Sequence, residues 1–194
     1  MTNFKIKKIK LVDQLIGRTL PTNQNGHAGR MAEHLLEDLG LTINRGHGCD
    51  LEFLGVEVKT RDIDATSPQT IADMRPDEII KTQYRDSHVY EKFQQQLRIY
   101  TKDNIIISAD IFDFSKPSIQ ELVEKAYNHA RAQIIEDPTL IRTEYTGFYG
   151  YFERTEHKTS FSFRLSGADM TTLENMSLST FHQIFEYNED KASK

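Results

Sequence analysis

Asp50, Glu57 and Lys59 carry the chemistry this sequence advertises most plainly, in the segment Asp50-Leu-Glu-Phe-Leu-Gly-Val-Glu-Val-Lys59. From Val56 to Lys59 apolar and charged residues alternate with the period of a β-strand. Glu57 and Lys59 therefore share one face, and Val56 and Val58 turn into a core. If a turn brings Asp50 alongside, two carboxylates can hold a hard cation such as Mg2+, which prefers oxygen donors and keeps water in its shell. The main-chain carbonyl of Val58 is a further candidate ligand. A cation held in this way activates water and offsets charge on phosphate, and a neighbouring ammonium can orient or deprotonate that water. The chemistry that fits is phosphodiester hydrolysis. The same residues also suit an amphipathic edge strand with a solvated Glu and Lys, so the triplet alone does not choose.

Several elements must position these groups. Met31, Leu35, Leu36 and Leu39 recur at helical spacing and predict a helix from about His27 to Leu39, stopped by Gly40. Glu33 and Glu37 lie four apart on it, so either can face a metal, and Glu33 is the favoured one. A shorter helix over residues 9–16 should end at Gly17, with a turn at Asn23 to Gly26. Residues 50–60 predict a hairpin or bent strand pair broken at Gly55. Residues 61–82 hold Pro68 and Pro76 without a clear period, and predict a loop long enough to carry ligand contacts.

Further along, a short helix around Ser87 to Gln94 should lead into strands at 96–101 and 105–114 of a mixed sheet. Ser118 and Glu121 have capping-box spacing ahead of an amphipathic helix over 119–135. Aromatic strands at 148–154 and 160–165, joined by a polar turn, predict a hairpin. Ser166 is placed to cap a short helix through Asn175, and the tail after Glu186 is polar.

Composition bounds the reading. With 194 residues, 38% of them hydrophobic and 27% charged, the chain suits one globular domain, 1–194, with room for two lobes around a cleft. Apolar runs such as Ile105-Ile106-Ile107 fall far short of the roughly 20 residues of a membrane helix. The basic start lacks the apolar stretch of a secretory signal, and Cys49 is the only cysteine. These features favour the cytoplasm. His47 and Cys49 flank the motif but make too few ligands for a zinc site. The formal net charge of -5 opposes a simple nucleic-acid coat, unless basic groups gather where a polyanion is steered.

Four pieces in order resemble the MutH-like group of PD-(D/E)XK endonucleases, which joins the strand-nicking enzyme of mismatch repair with related type II restriction enzymes. Asn25-Gly-His-Ala-Gly-Arg-Met-Ala-Glu33 is similar to the group's helix start. Asp50 to Thr60 is similar to its Asp, six residues, Glu, one residue, Lys core, including Leu-Gly-Val-Glu-Val-Lys-Thr. Ser87-His-Val-Tyr-Glu-Lys92 resembles its Ser-His-Val-x-x-Lys helix. Ser160-Phe-Ser-Phe-Arg164 resembles a strand ending in a DNA-contacting arginine. The chain departs from the group at Asn25, where a lysine is usual, and at Leu165-Ser166, where proline and lysine follow the arginine.

The resemblance implies an α/β, restriction-endonuclease-like fold with a central mixed β-sheet flanked by α-helices. It implies a Mg2+-dependent endonuclease, with Mn2+ substituting, that cuts double-stranded DNA at a short sequence and leaves 5'-phosphates. Asp50, Glu57 and the Val58 carbonyl would bind metal, Lys59 and Lys92 would assist water or phosphate, and Glu33 would tune the centre. Arg164, Arg61, Lys158 and Arg45 are the candidate DNA contacts. A monomer or homodimer without an obligatory protein partner is expected. Two rivals stay open: a structure-selective or RNA nuclease with the same centre, and a catalytically silent nucleic-acid binding protein of this fold.

Overall fold

A computed structural model of the chain describes residues 11–20, 28–45, 48–145, 149–154 and 158–177. Its elements run α1 (residues 11–15), α2 (Ala28–Asp38), β1 (Glu57–Asp62), β2 (Gln69–Met74), α3 (Pro76–Lys81), α4 (His88–Lys92), β3 (Gln95–Lys102), β4 (Ile105–Asp113), α5 (Pro117–Glu136), β5 (Tyr151–Glu153), β6 (Phe161–Leu165) and α6 (residues 167–177). Single 3-10 turns lie at Glu52–Leu54 and Tyr84–Asp86. The protein is mixed α/β. It comprises two units, Met1–Thr66 with Gln94–Phe112, and Ser67–Phe93 with Asp113–Lys194. The expected turn at 23–26, His47 and the tail after Glu186 lie outside the described residues, as do parts of the expected first helix and of the aromatic hairpin.

The first unit is built on a sheet of order β1-β3-β4. β1 and β3 run parallel, with Val58 opposite Leu97 and Thr60 opposite Ile99. β3 turns into β4 through Asp103 and Asn104, whose φ values of 52° and 62° suit a two-residue primed turn. That turn forces the antiparallel return and makes the sheet mixed. Val56, Val58, Leu97, Ile99 and Ile106 are buried with Ala32, Leu35 and Leu36 of α2 in one core. α2 stops because Gly40, at φ +80°, takes a left-handed conformation that costs glycine little. The N–H groups of Gly40 and Leu41 then return to the carbonyls of Glu37 (2.8 Å) and Leu36 (3.0 Å), closing a Schellman motif.

In the second unit β2, β6 and β5 form an antiparallel sheet. Ala72, Phe163 and Phe152 lie abreast across it, and Tyr127 of α5 packs edge-on against Phe152 with ring centroids 5.6 Å apart. Gln120, buried on α5, accepts from the Tyr84 hydroxyl at 2.8 Å. It also donates to the carbonyls of Phe93 (3.1 Å) and Phe114 (2.8 Å), so a polar side chain is satisfied inside the unit.

Four expectations change. The single central sheet is two three-stranded sheets. The expected loop at 61–82 holds the end of β1, all of β2, and α3, because Pro68 precedes a strand and Pro76 opens a helix, where the missing N–H costs nothing. The expected strand pair at 50–60 is one strand preceded by a 3-10 turn, tied by a lone Leu51–Val56 bridge. Helix α5 starts two residues earlier than the Ser118 cap implied, with Lys116 as N-cap and Pro117 first in the helix. Ser166 does cap α6, accepting from the Asp169 N–H at 3.1 Å.

Candidate active site

The edge of β1 builds the site. The Ile63 N–H reaches the Thr101 carbonyl at 2.8 Å, so odd-numbered residues of this segment bond toward β3. Val56 and Val58 therefore direct their main-chain groups to the opposite edge. Val56 spends its own on Leu51, donating to its carbonyl (3.3 Å) and accepting from its N–H (2.9 Å). The intervening turn closes at Gly55, whose φ of +62° is again left-handed. Extending the antiparallel bridge by one residue sets Asp50 across from Glu57. The Val58 N–H donates to Asp50 Oδ2 at 2.9 Å, and the strand geometry turns the Val58 carbonyl to the same edge.

Glu57 is 2% exposed on the opposite face of β1 from Val56 and Val58. Its Oε1 accepts from Lys59 Nζ at 2.8 Å, and the lysine is only partly exposed. Carboxylate and ammonium thus stabilise each other where neither is well hydrated. Glu33, half-buried on α2, lines with Asp50, Arg30, His34, Asn44 and Arg45 a cleft of about 460 Å3. Glu37, its rival on the same helix face, is engaged by Arg45 through both oxygens (2.9 and 3.0 Å) and by His34 Nδ1 at 3.3 Å.

Asp50, Glu57, Val58, Lys59 and Glu33 thus fall within the first unit, four of them on one turn and strand. Among the described residues no three of His, Cys, Asp and Glu are grouped as a metal-binding cluster. The donor set suits a hard cation nonetheless: two carboxylates and a strand-edge carbonyl, all oxygen, with water completing the shell as Mg2+ prefers. Lys92, the last residue of α4, is half-buried in the second unit, four residues before Gln96 in the chain.

Each candidate DNA contact has a partner of its own. Arg45 holds Glu37, and Arg61 donates to the Ala65 carbonyl at 2.6 Å. In the second unit Lys158 lies 3.7 Å from Asp73, and Arg164 pairs with Glu153 at 2.7 Å. The exposed pairs, at Arg45 and Lys158, are weak enough to be exchanged for phosphate. Sequence reading passed over Gln96, Arg98 and Tyr100, which stand opposite Glu57, Lys59 and Arg61 and form a second polar row on that face. The alternation Gln-Leu-Arg-Ile-Tyr signalled the row, but not that Gln96 and Arg98 are buried. No protein-family model matches this chain, and no curated protein matches it.

Proposed function

We propose that the protein is a metal-dependent endonuclease of restriction-endonuclease-like fold, acting in the cytoplasm on double-stranded DNA with Mg2+ or Mn2+ and leaving 5'-phosphates. The observation that carries this reading is the junction of the Asp50 carboxylate with the Val58 main chain, one residue from the buried Glu57–Lys59 pair. Asp50, Glu57 and the Val58 carbonyl would hold the cation, which when bound supplies Lewis acidity toward phosphate and a more acidic water. Lys59, already on the Glu57 carboxylate, would place an ammonium against the phosphoryl oxygens or orient the attacking water. Glu33, across the cleft from Asp50, would orient a further water. Lys92 would add a second basic group. Arg45, Arg61, Lys158 and Arg164 would contact the backbone phosphates. Among the described residues no helix is long and apolar enough to cross a membrane, and none of these roles requires one.

The substrate class is tested by incubating the protein with Mg2+ and, separately, mixed-sequence duplex DNA, branched DNA and RNA, then sequencing the ends. Discrete duplex fragments with 5'-phosphates are expected. Cleavage of branched DNA or RNA alone would replace the duplex reading, and binding without cleavage of any of them would make this a silent relative.

A further inference from the structure

Arg98 is 2% exposed in the middle of β3, among the largest side chains buried in the protein. Its partner across the parallel ladder is Lys59, and Gln96 is paired in the same way with Glu57. Paired residues of neighbouring strands stand about 4.8 Å apart on one face, so these four side chains form a block of direct neighbours. The guanidinium is anchored along its own strand. Nη1 donates to Gln96 Oε1 at 3.0 Å and Nε to the Tyr100 hydroxyl at 3.2 Å. A buried strand position asks only for an apolar side chain, as Leu97 and Ile99 supply on the other face. An arginine there calls for a polar role.

Two effects follow from its chemistry. A permanent cation one strand from Lys59 makes the space over β3 unfavourable for the ammonium, which lies instead on Glu57 Oε1. Engagement of Gln96 Oε1 by the guanidinium also leaves the NH2 end as the part of that amide able to serve Glu57. Taking its catalytic meaning from the nuclease reading above, we propose that Arg98 is a positioning residue: it holds the Lys59 ammonium on the Glu57 carboxylate, and fixes which end of the neighbouring Gln96 amide is free to turn there, before any cation or substrate arrives.

The test reads the Lys59 ammonium directly, by nuclear magnetic resonance of isotope-labelled protein without metal or DNA, the signal being assigned by its loss in Lys59→Met. The parent is expected to show a protected, slowly exchanging ammonium. Arg98→Met should average it with the exposed lysines, and Arg98→Lys, which keeps the charge, should retain it. A folded Arg98→Met protein with the parent's Lys59 signal overturns the proposal, since a merely structural arginine would lower the melting temperature alone. Should Arg98→Met fail to fold, Tyr100→Phe decides by the same signal, because it removes one anchor of the guanidinium without removing bulk. Partial loss of protection is expected, and none overturns the idea. With a cleavable duplex and Mg2+, Arg98→Met should cut about tenfold to a hundredfold more slowly while binding as tightly as the parent in Ca2+, the cost of misplacing a catalytic group. A parent inert on every nucleic acid, with a Lys59 signal that still follows Arg98, would remove the nuclease reading and leave the positioning role.

Discussion

The main-chain N–H of Val58 donates to the carboxylate of Asp50, eight residues earlier, at 2.9 Å. That contact closes the turn that begins β1, and the proposed function gives the same carboxylate a second job, as an oxygen ligand of the cation.

These jobs separate by substitution. Asp50→Asn keeps an acceptor oxygen for Val58 and should unfold in urea near the parent midpoint. Asp50→Ala leaves that N–H without its acceptor and should cost about 1 kcal/mol, the low end for a lost hydrogen bond because the site is only half-buried. Both should lose Mn2+ affinity, followed by calorimetry. If Asp50→Asn binds Mn2+ as the parent does, Asp50 is a structural acceptor and no ligand.

Glu57 and Lys59 behave as a buried pair in the metal-free protein. Lys59→Met should destabilise it by about 2 kcal/mol, less than a fully buried pair would lose because the lysine retains some water. A divalent cation should then raise the melting temperature of Lys59→Met by more than that of the parent, since the cation takes over as the counter-charge of Glu57. Equal shifts in the two proteins would separate Glu57 from the cation.

Arg164 pairs with Glu153 at 2.7 Å, both about one quarter exposed. If a phosphate takes the place of that carboxylate, Arg164→Ala should weaken duplex binding and lower the salt-dependence slope by about 1. Glu153→Gln, which releases the arginine, should strengthen binding. An unchanged slope in Arg164→Ala would make the pair a structural tie across β5 and β6.

Burial pushes the Tyr127 phenol up to about 12 from 10.0, against a smaller opposing pull from Arg131. Its hydroxyl donates to the Thr82 carbonyl at 3.1 Å. The raised value favours the neutral form in the folded state. The contribution is thus intact below pH 10 and lost as pH climbs through that window toward 12. Urea titrations across this range should show a shallower fall in stability for Tyr127→Phe than for the parent. Parallel slopes would mean that the ring ionises without unfolding the second unit.

What the sequence revealed depended on whether the signal was local. Helix α5 was legible because Ile119, Val123, Ala126, Tyr127, Ala130 and Ile134 repeat at helical spacing and are all buried. The strand at Glu57 to Lys59 was legible from strict alternation. Residues 61–82 hide their elements because a proline at an element boundary, as at Pro68 and Pro76, has the same local signature as one in a loop. The division into two sheets depends on pairings such as Ala72 with Phe163, far apart in sequence and invisible to periodicity. On α2, spacing places Glu33 and Glu37 alike and does not show that Arg45 engages Glu37. Arg98 escaped because a buried polar strand face and a solvated one have the same pattern.

The most direct measurement is cleavage of supercoiled plasmid by the parent and by Asp50→Asn, with Mg2+ and with a chelator. The parent should nick or linearise the plasmid with Mg2+ alone, and Asp50→Asn should be slower by on the order of a thousandfold, the scale of losing a charge-stabilising group at a transition state, while still folded. Cleavage by a folded Asp50→Asn protein at the parent's rate, or by the parent with the chelator, would contradict a metal-dependent centre at the edge of β1.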